Sequence, residues 1–200
     1  MAYVANDGKY VYYTSAEVSP VENHLFRLKL KDSFGLNRPQ RLTPETGWHQ
    51  ISMSPDCSRF IDRYSSLNVP GVTQVRDSNG NLLQRVSTSP DPLDIYAQCQ
   101  VELGTVKSAD AQTDNYYRLF YPRDYDPSKK YPLIVYVYGG PHSQMVTNSW
   151  LGNVRMWEML MAQKGYFVYV QDNRGTQNRG AAFEKAINRG CGKAYNALRT

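Results

Sequence analysis

The chain has 200 residues, of which 41% are hydrophobic and 20% are charged, and its formal net charge is +5. These values are typical of a soluble globular protein with room for a real core, in one domain or two small ones. The basic residues are scattered, which argues against nucleic-acid binding, and the three cysteines are too few and too far apart for a disulfide framework or a zinc site. No apolar run reaches the roughly 18 residues of a membrane-spanning helix, and no secretory leader is recognisable.

The first part of the chain, up to about residue 88, has the pattern of short antiparallel strands. Three turn signals separate alternating segments: Asn6-Asp7-Gly8, Ser54-Pro55-Asp56 and Asp77-Ser78-Asn79-Gly80. The strands predicted between them cover residues 10–14, 24–30, 48–61 with its central turn, 72–75 and 82–86. This spacing indicates a β-propeller or a β-sandwich, and the residues alone leave both open. The chain opens inside this pattern, so we expect it to begin within a larger protein.

The pattern changes after the Pro- and Ser-rich stretch 87–93, which predicts a domain boundary. Strands are expected at 100–107, 116–121, 133–138 and 167–170, and a polar loop at 122–130. Apolar spacing predicts helices over 150–164, ended by Gly165, and over 181–188. Alternation of strands and helices predicts a parallel α/β sheet.

The stretch from Tyr131 to Gln144 is the most informative part of the sequence. Its apolar, β-branched run 133–138 is typical of a strand covered on both faces, and Gly139-Gly140-Pro141 ends that strand. Ligands of open α/β sheets bind beyond the carboxyl ends of the strands, so the chemistry is expected at 138–143. His24 and His49 lie in the all-β part and are expected to be structural.

Two motifs, 131–144 and 172–189, resemble the prolyl oligopeptidase family of serine peptidases, and most closely its dipeptidyl peptidase IV branch. The resemblance implies a mixed fold, a partial all-β propeller followed by an incomplete α/β-hydrolase domain. Residues 1–88 would be the C-terminal part of the propeller, 89–110 a linker and lead-in strand, and 111–200 the N-terminal part of the hydrolase domain. That last part would end before the nucleophile elbow.

The resemblance also implies a reaction, the release of N-terminal dipeptides with Pro or Ala second by Ser-His-Asp acyl transfer. Tyr138 stands where the family places an oxyanion-hole tyrosine. The neighbouring positions Gly139, Gly140, Pro141, Asp172, Arg174 and Gly175 would shape the pocket, with Asp172 and Arg174 paired.

The catalytic triad itself is not expected in these 200 residues. The sequence contains no Gly-x-Ser-x-Gly, and the fold's chain order puts acid and base after the nucleophile. His142 is therefore a loop residue near the pocket rather than the base. The chain alone is expected to be inactive, without cofactor or metal.

Several alternatives remain open at this stage. A related oligopeptidase, acylaminoacyl peptidase or esterase would share the fold, and so would a non-catalytic interaction protein. The expected partner is a peptide substrate of the full-length parent, which could be a homodimer; the parent would be secreted, periplasmic or at the cell surface. The end 191–200 departs from the family pattern, and exposed sheet surfaces should make the isolated chain poorly soluble.

Overall fold

The computed structural model describes residues 2–30, 37–91, 99–150 and 156–190. They divide into two compact units. The first comprises Met1–Asp91 and Asn148–Trp150, and the second Pro92–Thr147 and Leu151–Thr200. The predicted change at 191–200 lies outside the described residues, and so do residues 92 and 93 of the predicted boundary and residues 151–155 of the predicted helix 150–164.

The first unit contains two four-stranded antiparallel sheets, in each of which the strands are neighbours in chain order. The first sheet consists of β1 (Ala2–Val4), β2 (Tyr10–Ser15), β3 (His24–Lys29) and β4 (Gln40–Arg41). The second consists of β5 (Trp48–Met53), β6 (Arg59–Ser66), β7 (Val69–Asp77) and β8 (Leu82–Thr88). The prediction of short antiparallel strands is confirmed, and this arrangement is consistent with part of a propeller.

The turn between β7 and β8 shows how local chemistry sets these meanders. The Asp77 carboxylate accepts hydrogen bonds from the backbone N–H groups of Asn79 and Asn81, at 2.8 and 2.9 Å. Gly80 completes the turn with a φ of +89°, which is unfavourable for residues with a side chain. The predicted hairpin is therefore confirmed.

An apolar cluster joins the two sheets of the first unit. Its buried members are Tyr12, Leu25, Leu42, Cys57 and Phe60. They come from β2, β3 and β6 and from the segments that flank strands. Because the cluster draws on both sheets, neither sheet buries its apolar face alone.

Buried polar residues accompany this core. His24 and His49 are fully buried, and their rings lie 5.0 Å apart. His24 Nε2 lies 2.8 Å from a Glu22 oxygen, and His49 Nδ1 lies 2.8 Å from an Asp62 oxygen. Each ring has a carboxylate partner, as burial requires, and this agrees with the expected structural role.

The second unit contains one four-stranded sheet in the order β11, β12, β10, β9. Its strands are β9 (Val101–Lys107), β10 (Asp114–Phe120), β11 (Leu133–Val137) and β12 (Phe167–Gln171). Only β11 and β12 run parallel; the other two pairs are antiparallel. The predicted parallel sheet is therefore corrected to a mixed one, because β9 and β10 form a hairpin before the strand–helix–strand segment begins.

Two helices are described in this unit, α1 (Trp157–Gln163) and α2 (Ala181–Lys185). Gly165, with a φ of +90°, follows the last turn of α1, as predicted. The prediction of a helix to residue 188 was wrong, since α2 ends three residues earlier and single turns follow it. No helix in the described part of the chain is long and apolar enough to cross a membrane.

The prediction that 133–138 is covered on both faces was also wrong. Leu133 and Val135 are 58% and 55% exposed. They are alternate residues of β11 and therefore point to the same face of the sheet, so one face of this apolar strand is open to solvent.

The hairpin turn predicts a difference between two glycine substitutions. A Cβ at Gly80 would lie 2.7 Å from the Leu42 carbonyl oxygen, whereas a Cβ at Gly8, also at positive φ, would meet open space. We expect Gly8→Ala to lower the free energy of unfolding by about 1 kcal/mol and Gly80→Ala by roughly 3 kcal/mol. Chemical denaturation of the two variants measures this difference, and equal losses would contradict it.

Candidate functional site

The turn that ends β11 presents Tyr138 to solvent. Tyr138 is 56% exposed, directly after the last residue of the strand. Gly139 turns the backbone with a φ of +74°. A Cβ at Gly140 would lie 2.7 Å from Cε1 of Tyr138, so the phenol ring rests where only a glycine leaves room for it. The two glycines thus set the path of the backbone and the place of the ring.

His142 lies in the following loop, close to an open pocket. It has a φ of +59°, and its backbone N–H donates to the Gly175 carbonyl oxygen at 3.0 Å. Its Nδ1 lies 2.5 Å from a Glu184 carboxylate oxygen. The pocket is lined by Pro141, His142, Glu184, Lys185, Ile187, Asn188 and Arg189. His142 is therefore a pocket-lining loop residue, and the structure shows it engaged with a carboxylate.

Asp172 lies at the end of the neighbouring parallel strand, immediately after β12, and is 5% exposed. One carboxylate oxygen accepts the backbone N–H of Met145 at 2.8 Å, and the other accepts that of Val146 at 3.0 Å. Burial raises the pKa of Asp172 to about 6, although both hydrogen bonds and the charges of Arg179 and Arg118 act to lower it. Asp172 therefore fastens the segment that follows the Tyr138 turn.

Gly175 connects the loop that follows β12 to the loop that contains His142. Its φ is +104°, and a Cβ there would lie 2.2 Å from Cδ1 of the buried Ile187. Its N–H donates to the Phe183 carbonyl at 3.0 Å, while its own carbonyl accepts from His142. A side chain at this position would displace α2 or the His142 loop.

The expected pair of Asp172 and Arg174 is wrong. Arg174 instead donates to the Asp110 carboxylate, in the turn between β9 and β10. The reason is geometric, because both Asp172 oxygens are occupied by backbone N–H groups.

Comparisons with known proteins give the chain its family. Residues 1–71 match the family model "Dipeptidyl peptidase IV (DPP IV) N-terminal region". Mouse dipeptidyl peptidase 8 is 30% identical over 189 residues, which is 90% of this chain and 20% of that protein. A probable dipeptidyl-aminopeptidase B of Aspergillus niger is 26% identical over 204 residues, covering 95% of this chain and 21% of its own length.

Solved structures agree with this assignment. The crystal structure of Porphyromonas gingivalis dipeptidyl peptidase 4 matches with a TM-score of 0.81 and 27% identity, over 96% of this chain and 28% of that one. A putative dipeptidyl aminopeptidase IV from Bacteroides ovatus matches with a TM-score of 0.72 and 29% identity, over 97% and 37%. The chain belongs to the dipeptidyl peptidase IV family. It spans about a fifth of the length of the curated relatives it matches.

In this dipeptidyl peptidase IV family chain, one residue of the candidate site was not predicted from the sequence. Arg118, on β10, is 1% exposed, and its guanidinium donates to the carbonyl oxygen of Thr147. Burial lowers its pKa to about 10, against the opposing effects of Glu158 and Asp172. An arginine inside the otherwise apolar and aromatic strand 116–121 was the available signal, since a buried charge needs a defined partner.

A side-chain hydrogen bond also joins the loop that follows β12 to the loop that follows β11. The Asn178 side chain donates to the Gln144 side-chain oxygen at 2.8 Å, and the Gln144 amide donates to the Val146 carbonyl at 3.1 Å. Across the residues that the structure describes, no group of three or more His, Cys, Asp or Glu side chains is placed to bind a metal ion. The candidate site consists of two loops, 139–147 and 172–178, that are joined by hydrogen bonds beside Tyr138.

The raised pKa of Asp172 predicts a pH dependence of stability. Between about 3.8 and 6 the folded state binds more protons than the unfolded state, so this group's contribution to the free energy of unfolding falls as pH rises. The slope is at most about 1.4 kcal/mol per pH unit. Asp172→Asn lacks this titration, so the stability of the wild type relative to Asp172→Asn should fall from pH 4 to pH 6. Denaturation across this range tests it; a constant difference would contradict the prediction.

Proposed function

We propose that this chain is part of a serine exopeptidase that releases dipeptides from the amino termini of peptides, with Pro or Ala as the second residue. Residues 1–88 would form the last part of its propeller, 89–110 the linker and lead-in strand, and 111–200 the first part of its α/β-hydrolase domain. The division into two units after Asp91 supports this layout, with Asn148–Trp150 as the exception. The parallel pair β11 and β12, with α1 between them in the chain, supports a hydrolase sheet.

The observation that carries the proposal is the exposed Tyr138 at the carboxyl end of β11. Acyl transfer needs a hydrogen-bond donor aimed at the oxygen that becomes negative when the nucleophile attacks the carbonyl carbon. A phenol hydroxyl can supply that donor while its ring is held by the backbone at Gly140. The relatives described above are named dipeptidyl peptidases or dipeptidyl-aminopeptidases, which favours this reaction over others of the fold.

In this mechanism the nucleophile, base and acid come from sequence beyond the chain. The serine hydroxyl attacks the carbonyl carbon and a histidine takes its proton. An aspartate orients that histidine. Tyr138 donates its O–H to the oxyanion, and Gly139, Gly140 and Pro141 keep the backbone of the turn clear of the substrate. Asp172, Arg174 and Gly175 support the pocket from the adjacent strand end.

The experiment starts from the encoding DNA. We expect its translation beyond residue 200 to contain Gly-x-Ser-x-Gly, and the extended product to hydrolyse a Gly-Pro anilide. In that product, Tyr138→Phe should lower kcat by roughly 10²- to 10³-fold with little change in KM, because the hydroxyl acts in the transition state. Tyr136→Phe, two positions earlier and within β11, is the matched control and should retain full activity.

Two results would contradict the proposal. One is the absence of a nucleophile elbow in every reading frame on either side of the chain. The other is an active extended product in which Tyr138→Phe is as fast as the wild type.

A further inference from the structure

The backbone after the Tyr138 turn is held at three consecutive residues by two buried charged side chains. Asp172 accepts the N–H groups of Met145 and Val146, and Arg118 donates to the carbonyl of Thr147. Both charged residues are at most 5% exposed. The two side chains come from different strands, β10 and the end of β12, so they hold this segment from separate points of one sheet.

The same loop is attached at two further points nearer to Tyr138. The His142 N–H donates to Gly175, and Asn178 donates to Gln144. Every one of these contacts connects the loop 139–147 to β10 or to the loop 172–178. The Tyr138 turn therefore has little freedom to move unless several of these bonds open together.

A buried carboxylate stabilises a loop only at a large cost in desolvation free energy. Removing a charge from water costs several kcal/mol before its hydrogen bonds are counted, and a neutral side chain would avoid that cost. A carboxylate has one geometric advantage, because it offers acceptors to two successive N–H groups, whereas an amide offers one acceptor and a donor. A carboxylate at position 172 therefore places the backbone of Met145 and Val146 with more precision than an amide would, although it lowers the free energy of unfolding.

We propose that Asp172 is a positioning residue that, together with Arg118, holds the loop carrying Tyr138 in the geometry needed for oxyanion binding. This inference rests on the proposed function for its catalytic consequence. The effect of Asp172 on the mobility of the loop can be measured without any activity. Asp172 acts through the backbone of Met145 and Val146 and does not touch the substrate.

The first test is amide hydrogen exchange on the 200-residue chain. In Asp172→Asn, exchange at Met145 and Val146 should accelerate about tenfold or more, because one acceptor is lost and an amide donor faces an N–H group. Exchange in β9 and β10, which belong to the same unit as Asp172, should stay unchanged, and this result shows that the unit is still folded in the variant. Asp124→Asn, an exposed carboxylate of the same unit, is the matched control and should exchange like the wild type.

If Asp172→Asn fails to fold, Asp172→Glu replaces it. The longer side chain keeps the charge but cannot hold both N–H groups at the observed distances, so the same two amides should again exchange faster. Unchanged exchange at Met145 and Val146 in a folded variant would overturn the proposal.

The second test uses the extended, active product. Asp172→Asn should lower kcat with little change in KM, and the double variant Tyr138→Phe/Asp172→Asn should be no slower than Tyr138→Phe alone. This lack of additivity is expected only if Asp172 works through the Tyr138 hydroxyl. Fully additive losses would overturn the positioning role. An inactive extended product would refute the proposed function, and the exchange experiment would still decide whether Asp172 holds the loop.

Discussion

The candidate site depends on one buried carboxylate that accepts hydrogen bonds from two neighbouring backbone N–H groups. Asp172 directly follows β12, while Met145 and Val146 follow the turn at the end of β11. Since β11 and β12 are parallel neighbours, their carboxyl ends lie at the same edge of the sheet, and the loops leaving them must share that space. The Asp172 carboxylate determines how they share it. Burial raises the pKa of this carboxyl, and the two N–H donors and the arginines Arg118 and Arg179 offset that effect only in part.

The first unit is stabilised by tight turns, a shared apolar cluster and buried histidines. Its strands are linked by tight turns in which short polar side chains bind nearby N–H groups, and its core is a small apolar cluster shared by two sheets. Two buried histidines beside this core have defined orientations, because each ring is paired with one carboxylate and makes a second contact through its other nitrogen. His49, for example, binds Asp62 through Nδ1 and the Glu45 carbonyl through Nε2. An apolar core tolerates rearrangement, whereas these paired groups must keep their partners or lose the hydrogen bonds that make their burial acceptable.

Features encoded by neighbouring residues could be predicted from the sequence, and features that need distant residues could not. The Asp77–Gly80 hairpin and the stop after α1 follow from local turn chemistry, and both were found. The Asp172–Arg174 pair was wrong because proximity in sequence says nothing about competition from Met145, Val146 and Asp110. Arg118 was missed for the same reason, since its partner Thr147 lies far along the chain. The burial of β11 depends on which elements pack on its two faces, and the apolar pattern of the strand cannot tell a covered face from an exposed one. The roles assigned to Tyr138, Gly139, Gly140 and Pro141 stay predictions.

Two glycines of the site, Gly140 and Gly175, are required by the side chains that lie against them. The Tyr138 ring occupies the space of a Cβ at Gly140, and Ile187 occupies that of a Cβ at Gly175. The contact at Gly140 is local to the Tyr138 turn, whereas the contact at Gly175 is tertiary, because it arises only when Ile187, which follows α2, is in place. At Gly140 the contact with the Tyr138 ring is the only such constraint, since its backbone is not in the left-handed region. A glycine that is needed only because an exposed tyrosine rests on it connects the backbone of the turn to the position of one hydroxyl group. That connection is the structural property an oxyanion donor requires.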